Sequence, residues 1–120
     1  MFTVGGFATG QFALTTAQKG QVVNIALQVL RAMSCTPRVM AIDIVGHTDN
    51  VGTPASNMTL GLNRAKAVEG ELFSVIAVPS MLLTPPLTLN STSKGQTAPI
   101  ASNSTPAGRA ANRRVEVTLR

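Results

Sequence analysis

Apolar residues recur every three or four positions in two long stretches of the chain, and this spacing predicts two helices. The first helix is predicted from about 16 to 34, with the apolar repeat Val22, Val23, Ala26, Val29, Leu30 and Met33. Thr15 and Gln18 have the spacing of a capping box at its start. The proline at 37 sets its end, because a residue before proline avoids the helical region.

The second helix is predicted from about 57 to 73 and has two distinct faces. The apolar face is expected to pack on the core and carries Met58, Leu62, Ala65, Val68 and Leu72. A separate stripe, about a quarter turn away or more, carries Asn57, Leu60 and Arg64. The second stripe therefore ends in a cation beside the loop that precedes the helix.

Four short segments have the pattern of strands: 2–7, 39–45, 87–89 and 115–119. The first is interrupted by glycine and suits a sheet edge, the second is apolar throughout, and the last alternates with a period of two. The segment 75–86 holds three prolines and is expected to be neither helix nor central strand. The polar segment 90–112 is expected to be a long connection with a helical turn near 106–112.

The order strand, helix, strand, helix, strand, strand favours an α+β fold. We expect a two-layer sandwich in which a mixed four-stranded sheet has its helices packed on one face. At 120 residues, without an internal repeat, the chain is expected to form a single domain over 1–120.

Composition excludes several classes of function. The net charge of +5 comes from basic residues spread along the chain, and aromatic residues are only 3%, so we expect no nucleic-acid partner. One cysteine and one histidine argue against a disulfide framework and against the usual zinc sites, so no metal or other cofactor is expected. Cys35, at the end of the first predicted helix, is expected to be a buried thiol.

The loop 46–56 joins a buried strand to the second helix and is the best candidate for a binding site. Asp49 in this loop is an anion, and Arg64 is a cation two turns into the helix. Held apart, the two charges would bind a zwitterion, with the guanidinium taking a carboxylate and the aspartate an ammonium. The alternative, that Asp49 and Arg64 simply pair with each other, stays open at this point.

Three further polar residues are expected to be structural. His47 is expected to fix the loop by a hydrogen bond rather than to act as a catalytic base. Asp43, inside a strand, is expected to pair with a basic residue such as Arg113. Arg113 is expected to be partly buried on the Val115 face, with Arg114 pointing the other way.

Two separated motifs make the chain resemble the OmpA-like peptidoglycan-binding domain over about 2–120. They are Gly46-His47-Thr48-Asp49-Asn50 with Asn57-x-x-Leu60 and Arg64-Ala65-x-Ala67-Val68, and Gly108-Arg109-Ala110-x-Asn112-Arg113-Arg114-Val115. Three positions depart from the family pattern: Gly61 stands where serine is usual, Ala8 where aspartate is frequent, and Ser93-Lys94-Gly95 where an aromatic residue usually lies between two glycines.

The resemblance implies non-covalent binding of the peptidoglycan stem peptide without catalysis. Asp49 and Arg64 are implied to hold diaminopimelate, lined by Thr48, Asn50, Asn57, Leu60, Phe7 and Ala8. Gly46, His47, Asn112 and Arg113 are implied to be structural. The domain is expected to be excised from a longer periplasmic envelope protein of a Gram-negative bacterium, to meet a membrane only through an upstream anchor, and to form a possible homodimer. The alternative is a protein-interaction module with a degenerate pocket.

Overall fold

A computed structural model of the protein describes residues 1–35, 41–80 and 88–120, apart from the side chains at 33–35 and 77–80. The elements are β1 (Phe2–Val4), α1 (Thr16–Cys35), β2 (Ala41–His47), α2 (Pro54–Ser80), β3 (Thr88–Gly95), α3 (Pro106–Asn112) and β4 (Val115–Leu119). The expected places of Cys35 and Met33 in the core concern side chains outside the described residues, as do the strand positions 39 and 40.

The four strands form one mixed sheet in the order β1-β4-β2-β3. The central strand β4 runs antiparallel to both β1 and β2, while β2 and β3 are parallel. The connection from β1 to β2 through α1 and the connection from β2 to β3 through α2 move in the same direction along the sheet. Because such crossovers are right-handed, both helices lie on the same face, and the α+β sandwich predicted from the sequence is confirmed.

The core lies between this sheet face and the two helices. It contains Val4, Phe7, Val22, Ile25, Ala26, Val29, Ile42, Ile44, Ala65, Val68, Leu72, Ile76, Val115 and Val117. Two residues placed in apolar stripes by the sequence are exposed instead: Val23 at 38% and Met58 at 45%. Met58 lies against Gly95 at the end of β3, where the lack of a side chain on glycine leaves space for Met58.

Capping chemistry explains where the long helices begin. Thr15 and Gln18 make the reciprocal bonds of the predicted capping box, with backbone N–H to side-chain oxygen distances of 2.9 and 3.2 Å. The second helix begins at Pro54, three residues before the prediction. There the Thr53 hydroxyl accepts from the Ser56 backbone N–H, and proline suits the first helical position.

Two segments are more regular than the sequence indicated. The second helix continues to Ser80, because Val75 and Ile76 extend its core-facing stripe, so the expectation of no helix at 75–80 is wrong. The strand expected at 87–89 runs from Thr88 to Gly95, because these polar residues pair with the edge of β2 along its length. The short helix and the last strand are confirmed.

Two glycines allow the second helix to approach the sheet closely beneath the candidate site. A Cβ on Gly46 would overlap the backbone carbonyl oxygen of Gly61, and a Cβ on Gly61 would overlap the hydroxyl of Ser93. The glycine that replaces the usual serine in α2 therefore fits this contact between α2, β2 and β3, although glycine is a poor helix former.

Candidate functional site

The loop between β2 and α2 turns sharply and buries the side chain of Asp49. The Asp49 carboxylate accepts from the backbone N–H of Val51 at 3.1 Å, which is an Asx turn, and Gly52 adopts a φ of +93°. The Thr48 backbone N–H donates to the Gly95 carbonyl at 2.9 Å, so the start of the loop stays attached to β3. Asp49 is 3% exposed as a result.

The second oxygen of Asp49 pairs with Arg113, whose Nη1 lies 3.0 Å away. Nε of Arg113 also donates to the Phe7 carbonyl at 2.6 Å. The register of β2 and β4 brings Arg113 here: Val115 lies opposite Gly46, so the residues just before β4 lie beside the loop that follows β2. The pair is partly buried, which strengthens it relative to a surface ion pair.

The expected pairing of Asp43 with Arg113 is wrong. Asp43 lies opposite Thr118 near the other end of the same ladder, so the cation that reaches it is Arg120, at 2.6 Å. Asn90 on β3 also donates to Asp43 at 3.3 Å. The hydrogen bond and the charge of Arg120 hold the pKa of Asp43 below its ordinary value, and the Asn90 hydrogen bond acts in the same direction.

Arg64 is fully buried, at 0% exposure, and its guanidinium is surrounded by backbone carbonyls. Nε donates to Gln11 at 2.8 Å, Nη1 to His47 at 3.0 Å and Nη2 to Ala8 at 3.0 Å. The guanidinium carbon also lies 5.1 Å from the centre of the Phe7 ring, within the range of a cation–π interaction.

The direct Asp49–Arg64 pair that the sequence left open is not formed among the described residues, since Asp49 pairs with Arg113. The two charges nevertheless influence each other. Burial lowers the pKa of Arg64 to about 10, the charge of Asp49 opposes this shift, and the charge of Arg113 adds to it. The site thus holds two cations and one anion at the same end of the sheet.

His47, the last residue of β2, is 1% exposed, and its hydrogen bond goes to β4 rather than to the loop. Its Nε2 lies 3.0 Å from Glu116, whose other oxygen accepts from Nε of Arg114 at 3.1 Å. Burial lowers the pKa of His47, the Arg114 charge adds to this shift, and the charge and hydrogen bond of Glu116 oppose it. Arg114 points the other way from Arg113, as predicted, since it pairs with Glu116 while Arg113 pairs with Asp49. At 3% exposure Arg114 is buried more deeply than Arg113.

The remaining predicted lining residues divide into buried supports and an exposed rim. Asn57 is 2% exposed and donates from Nδ2 to the Asp49 carbonyl at 3.3 Å and to the side chain of Gln96 at 2.7 Å. The Thr48 hydroxyl also donates to the Asp49 carbonyl, at 2.8 Å. The backbone of Phe7 contributes a carbonyl, Leu60 is half-buried, and Asn50 and Ala8 are exposed.

Asn112 is 0% exposed and lies away from these charges, where it organises the loop before α3. Its side-chain oxygen accepts from the backbone of Ile100 and Ala101 at 2.8 and 3.1 Å, and Nδ2 donates to the Ala101 carbonyl at 2.9 Å. It therefore holds a wide loop closed just before β4 begins.

Sequence reasoning missed Gln96 and Gln11. Gln96 follows β3 and supports Asn57, and a lone glutamine in a polar loop gives no signal for that role. Gln11 acts through its backbone carbonyl, which no side-chain pattern reveals. The link from Arg113 to Asp49 requires the strand register, which the sequence did not supply.

Two features that would indicate other functions are absent from the described residues. Within them, no group of three or more acidic, histidine or cysteine side chains is placed to hold a metal ion. No helix in the described ranges has the length and hydropathy needed to cross a membrane. A separate groove of about 380 Å³ lies between α2 and β3 and shares no residue with the predicted site; it is lined by Lys66, Glu69, Gly70, Phe73 and Leu89.

The chain is similar to known proteins in sequence and in fold. Residues 6–113 match the family model described as the OmpA family. Outer membrane protein A of Bordetella avium is 44% identical over 99 residues, which are 82% of this chain and 45% of that protein. The peptidoglycan-binding protein ArfA of Mycobacterium tuberculosis is 40% identical over 78 residues, 65% of this chain and 22% of that protein. The chain thus spans less than half the length of either relative.

Among solved structures, the peptidoglycan-associated lipoprotein of Burkholderia pseudomallei superposes with a TM-score of 0.77 at 24% identity. The superposition covers 100% of this chain and 91% of that chain. At this identity the likeness shows a common fold.

Proposed function

The chain belongs to the OmpA family, and from this premise we propose that it binds peptidoglycan non-covalently and anchors an envelope protein to the cell wall. A relative that is 40% identical over 78 residues is itself named a peptidoglycan-binding protein. The proposed point of contact is the diaminopimelate of the stem peptide. That residue presents an ammonium and a carboxylate at its far stereocentre, which calls for an anion and a cation in the protein.

One observation carries the proposal: Arg64 is wholly buried beside Asp49 but is not paired with it. A guanidinium has five N–H donors, and among the described residues Arg64 gives three hydrogen bonds, all to carbonyls. A ligand carboxylate would accept from these donors more strongly than the neutral carbonyls do, because its hydrogen bonds would be charge-assisted. Asp49, held in place by Arg113, would receive the ammonium.

The proposed ligand would also contact the rim of the site. Leu60 is half-buried one turn before Arg64 and would contact the methylene chain of diaminopimelate. The exposed Asn50 lies in the loop after β2, and the exposed Ala8 lies in the segment after β1. Thr48 and Asn57 support the loop through the Asp49 carbonyl, and Phe7 stacks on the cation.

We propose binding without catalysis, since the chain's one histidine is 1% exposed and engaged with Glu116. Relatives carry the names of outer membrane proteins, porins and lipoproteins. We therefore place the domain in the cell envelope, with the periplasm as its proposed compartment and an upstream segment as its proposed anchor. The proposal includes a homodimer of two copies, and light scattering tests it by measuring the mass in solution.

The test compares Asp49→Asn with Asp43→Asn. Both changes remove one carboxylate that pairs with an arginine, but Asp43 lies near the opposite end of the β2–β4 ladder. We expect Asp49→Asn to weaken co-sedimentation with purified sacculi at least about tenfold, since a hydrogen bond to a charged group contributes about 1.5–3 kcal/mol. Asp43→Asn is expected to sediment as the unmodified protein does.

Equal sedimentation of the two variants would remove Asp49 from the site. A titration of the unmodified protein with a diaminopimelate-containing muropeptide tests the proposal directly. No binding at millimolar ligand would favour the alternative, a protein-interaction module.

A further inference from the structure

Arg64 cannot touch a ligand in the conformation described. A side chain with 0% exposure is out of reach of a water-sized sphere, and a carboxylate oxygen is no smaller than water. If Arg64 holds a carboxylate, as the proposed function requires, part of its surroundings must move first. The question is which part.

The groups that cover the guanidinium differ in how firmly they are held. The His47 carbonyl belongs to β2, which is paired on both sides by β3 and β4. The Phe7 ring is 2% exposed and belongs to the core. Two further groups that contact the guanidinium are the carbonyls of Ala8 and Gln11, which lie in an exposed segment outside helix and strand.

That segment, residues 8–11, is a single β-turn. The Gln11 backbone N–H donates to the Ala8 carbonyl at 3.0 Å, and Gly10, at the third position, has a φ of +73°. A positive φ at this position is typical of a type II turn and favours glycine. All four residues are exposed, and the turn is tied down by the buried Phe7 before it and the half-buried Leu14 after it.

We propose that the turn 8–11 is a lid, whose Ala8 and Gln11 carbonyls occupy the positions on Arg64 that a ligand carboxylate takes when the lid opens. The proposal rests on the proposed function for the identity of the ligand, but the opening itself concerns the free protein. Exchanging two neutral acceptors for one carboxylate favours the open state once ligand is present. The low pKa of Arg64 agrees with this, since it reflects a guanidinium buried without an anion in contact.

Gly10 offers a way to open the lid. No described atom lies within 4 Å of a Cβ placed on this residue, so a substitution acts through the backbone and not through a clash. Valine strongly disfavours a positive φ, whereas asparagine tolerates it. Gly10→Val should therefore shift the turn away from its closed conformation, and Gly10→Asn is the matched control at the same position.

The readout is the rate at which phenylglyoxal modifies Arg64, followed by mass spectrometry of peptides from the folded protein. Arg114 is 3% exposed and lies away from the turn, so its modification reports unfolding of the whole domain. We expect the Arg64 rate, relative to that of Arg114, to rise at least about threefold in Gly10→Val and to stay unchanged in Gly10→Asn. Equal Arg64 rates in the two variants would show that the turn is a fixed wall.

A muropeptide titration of the same proteins separates this proposal from the proposed function. If opening limits binding, Gly10→Val binds a diaminopimelate-containing muropeptide more tightly than Gly10→Asn, by up to about tenfold. If the two variants differ in labelling but neither binds the muropeptide, the lid is supported and the proposed function is contradicted. If both variants bind with equal strength and are labelled equally, the proposed function is supported and the lid is contradicted.

Discussion

Arg64 illustrates how a buried charge is accommodated by the backbone. Removing a guanidinium from water is costly unless its donors are satisfied. Here three carbonyls provide hydrogen bonds, two from the turn 8–11 and one from the end of β2, and the Phe7 ring lies against the guanidinium. The sequence identified Arg64 and Asp49 through the spacing of a known motif. It did not identify the carbonyl partners of Arg64, because backbone atoms are common to all residues.

At His47 the same physics predicts a pH dependence of stability. The ring is buried, and its Nδ1 has no hydrogen-bond partner in the described part of the chain, so a second ring proton would be unsatisfied. Arg114 and, more weakly, Lys94 also disfavour the charged ring, while Glu116 favours it. The net pKa is below the ordinary 6.5, so the unfolded chain binds more protons in this range.

We therefore expect the free energy of unfolding to fall as the pH drops below 6.5. Glu116 and Asp43, whose pKa values are also lowered, have ordinary values of 4.5 and 3.8 and add their own losses only in more acid solution. Urea unfolding between about pH 7 and about pH 5 checks this for the unmodified protein and for His47→Gln, whose amide preserves a donor near Nε2. The variant should show a flatter profile, and parallel profiles would exclude His47 as the cause.

Among the elements, features that depend on neighbouring residues could be predicted from the sequence. The pairing of the edge strand β3 with β2 could not. The capping box at Thr15 and the alternation in β4 depend on neighbours in the chain, and both predictions were confirmed. The extent of β3 depends on β2, which supplies hydrogen-bonding partners to residues whose own composition suggests a loop. The start of α2 at Pro54 also has a local signal, because Thr53 caps the helix and proline suits its first position.

The contact between α2 and β2 gives a prediction for these elements. Gly46→Ala places a methyl group into the Gly61 carbonyl, which is backbone and cannot rotate away, so the helix must shift from the sheet. We expect a loss of about 3 kcal/mol in the free energy of unfolding, measured in urea. Gly70→Ala, in the same helix, meets no described atom within 4 Å and should stabilise the protein by about 1 kcal/mol. Similar effects of the two changes would show that the close approach is not required.

At the scale of the whole molecule, the topology brings distant parts of the chain to one end of the sheet. The loop after β2, the end of β3 and the residues just before β4 meet there, because β2 and β3 are parallel and β4 runs against them. The turn after β1 closes over the same place, since β1 and β2 both run antiparallel to β4. The sequence predicted the elements and one motif of the site. The strand order decides which segments meet, and composition and periodicity do not reveal that order.

The net charge of +5 suggests a simpler explanation of cell-wall binding, general attraction to an anionic polymer, and salt separates it from the site proposed above. Exposed charges are strongly screened as the Debye length falls from about 10 Å at 0.1 M salt to about 3 Å at 1 M. Arg64 and Asp49 are 0% and 3% exposed, so their contacts with a ligand are screened much less. A zwitterion also has no net charge to be attracted over a distance.

We accordingly expect co-sedimentation with sacculi to weaken by less than about threefold between about 0.1 M and about 1 M sodium chloride. Asp49→Asn serves as the control, because it raises the net positive charge of +5 by one and would strengthen a general attraction. The same change should abolish most binding through the site at both salt concentrations. If binding instead falls tenfold or more with salt while Asp49→Asn binds as well as the unmodified protein, the surface charge accounts for the interaction and the buried residues do not.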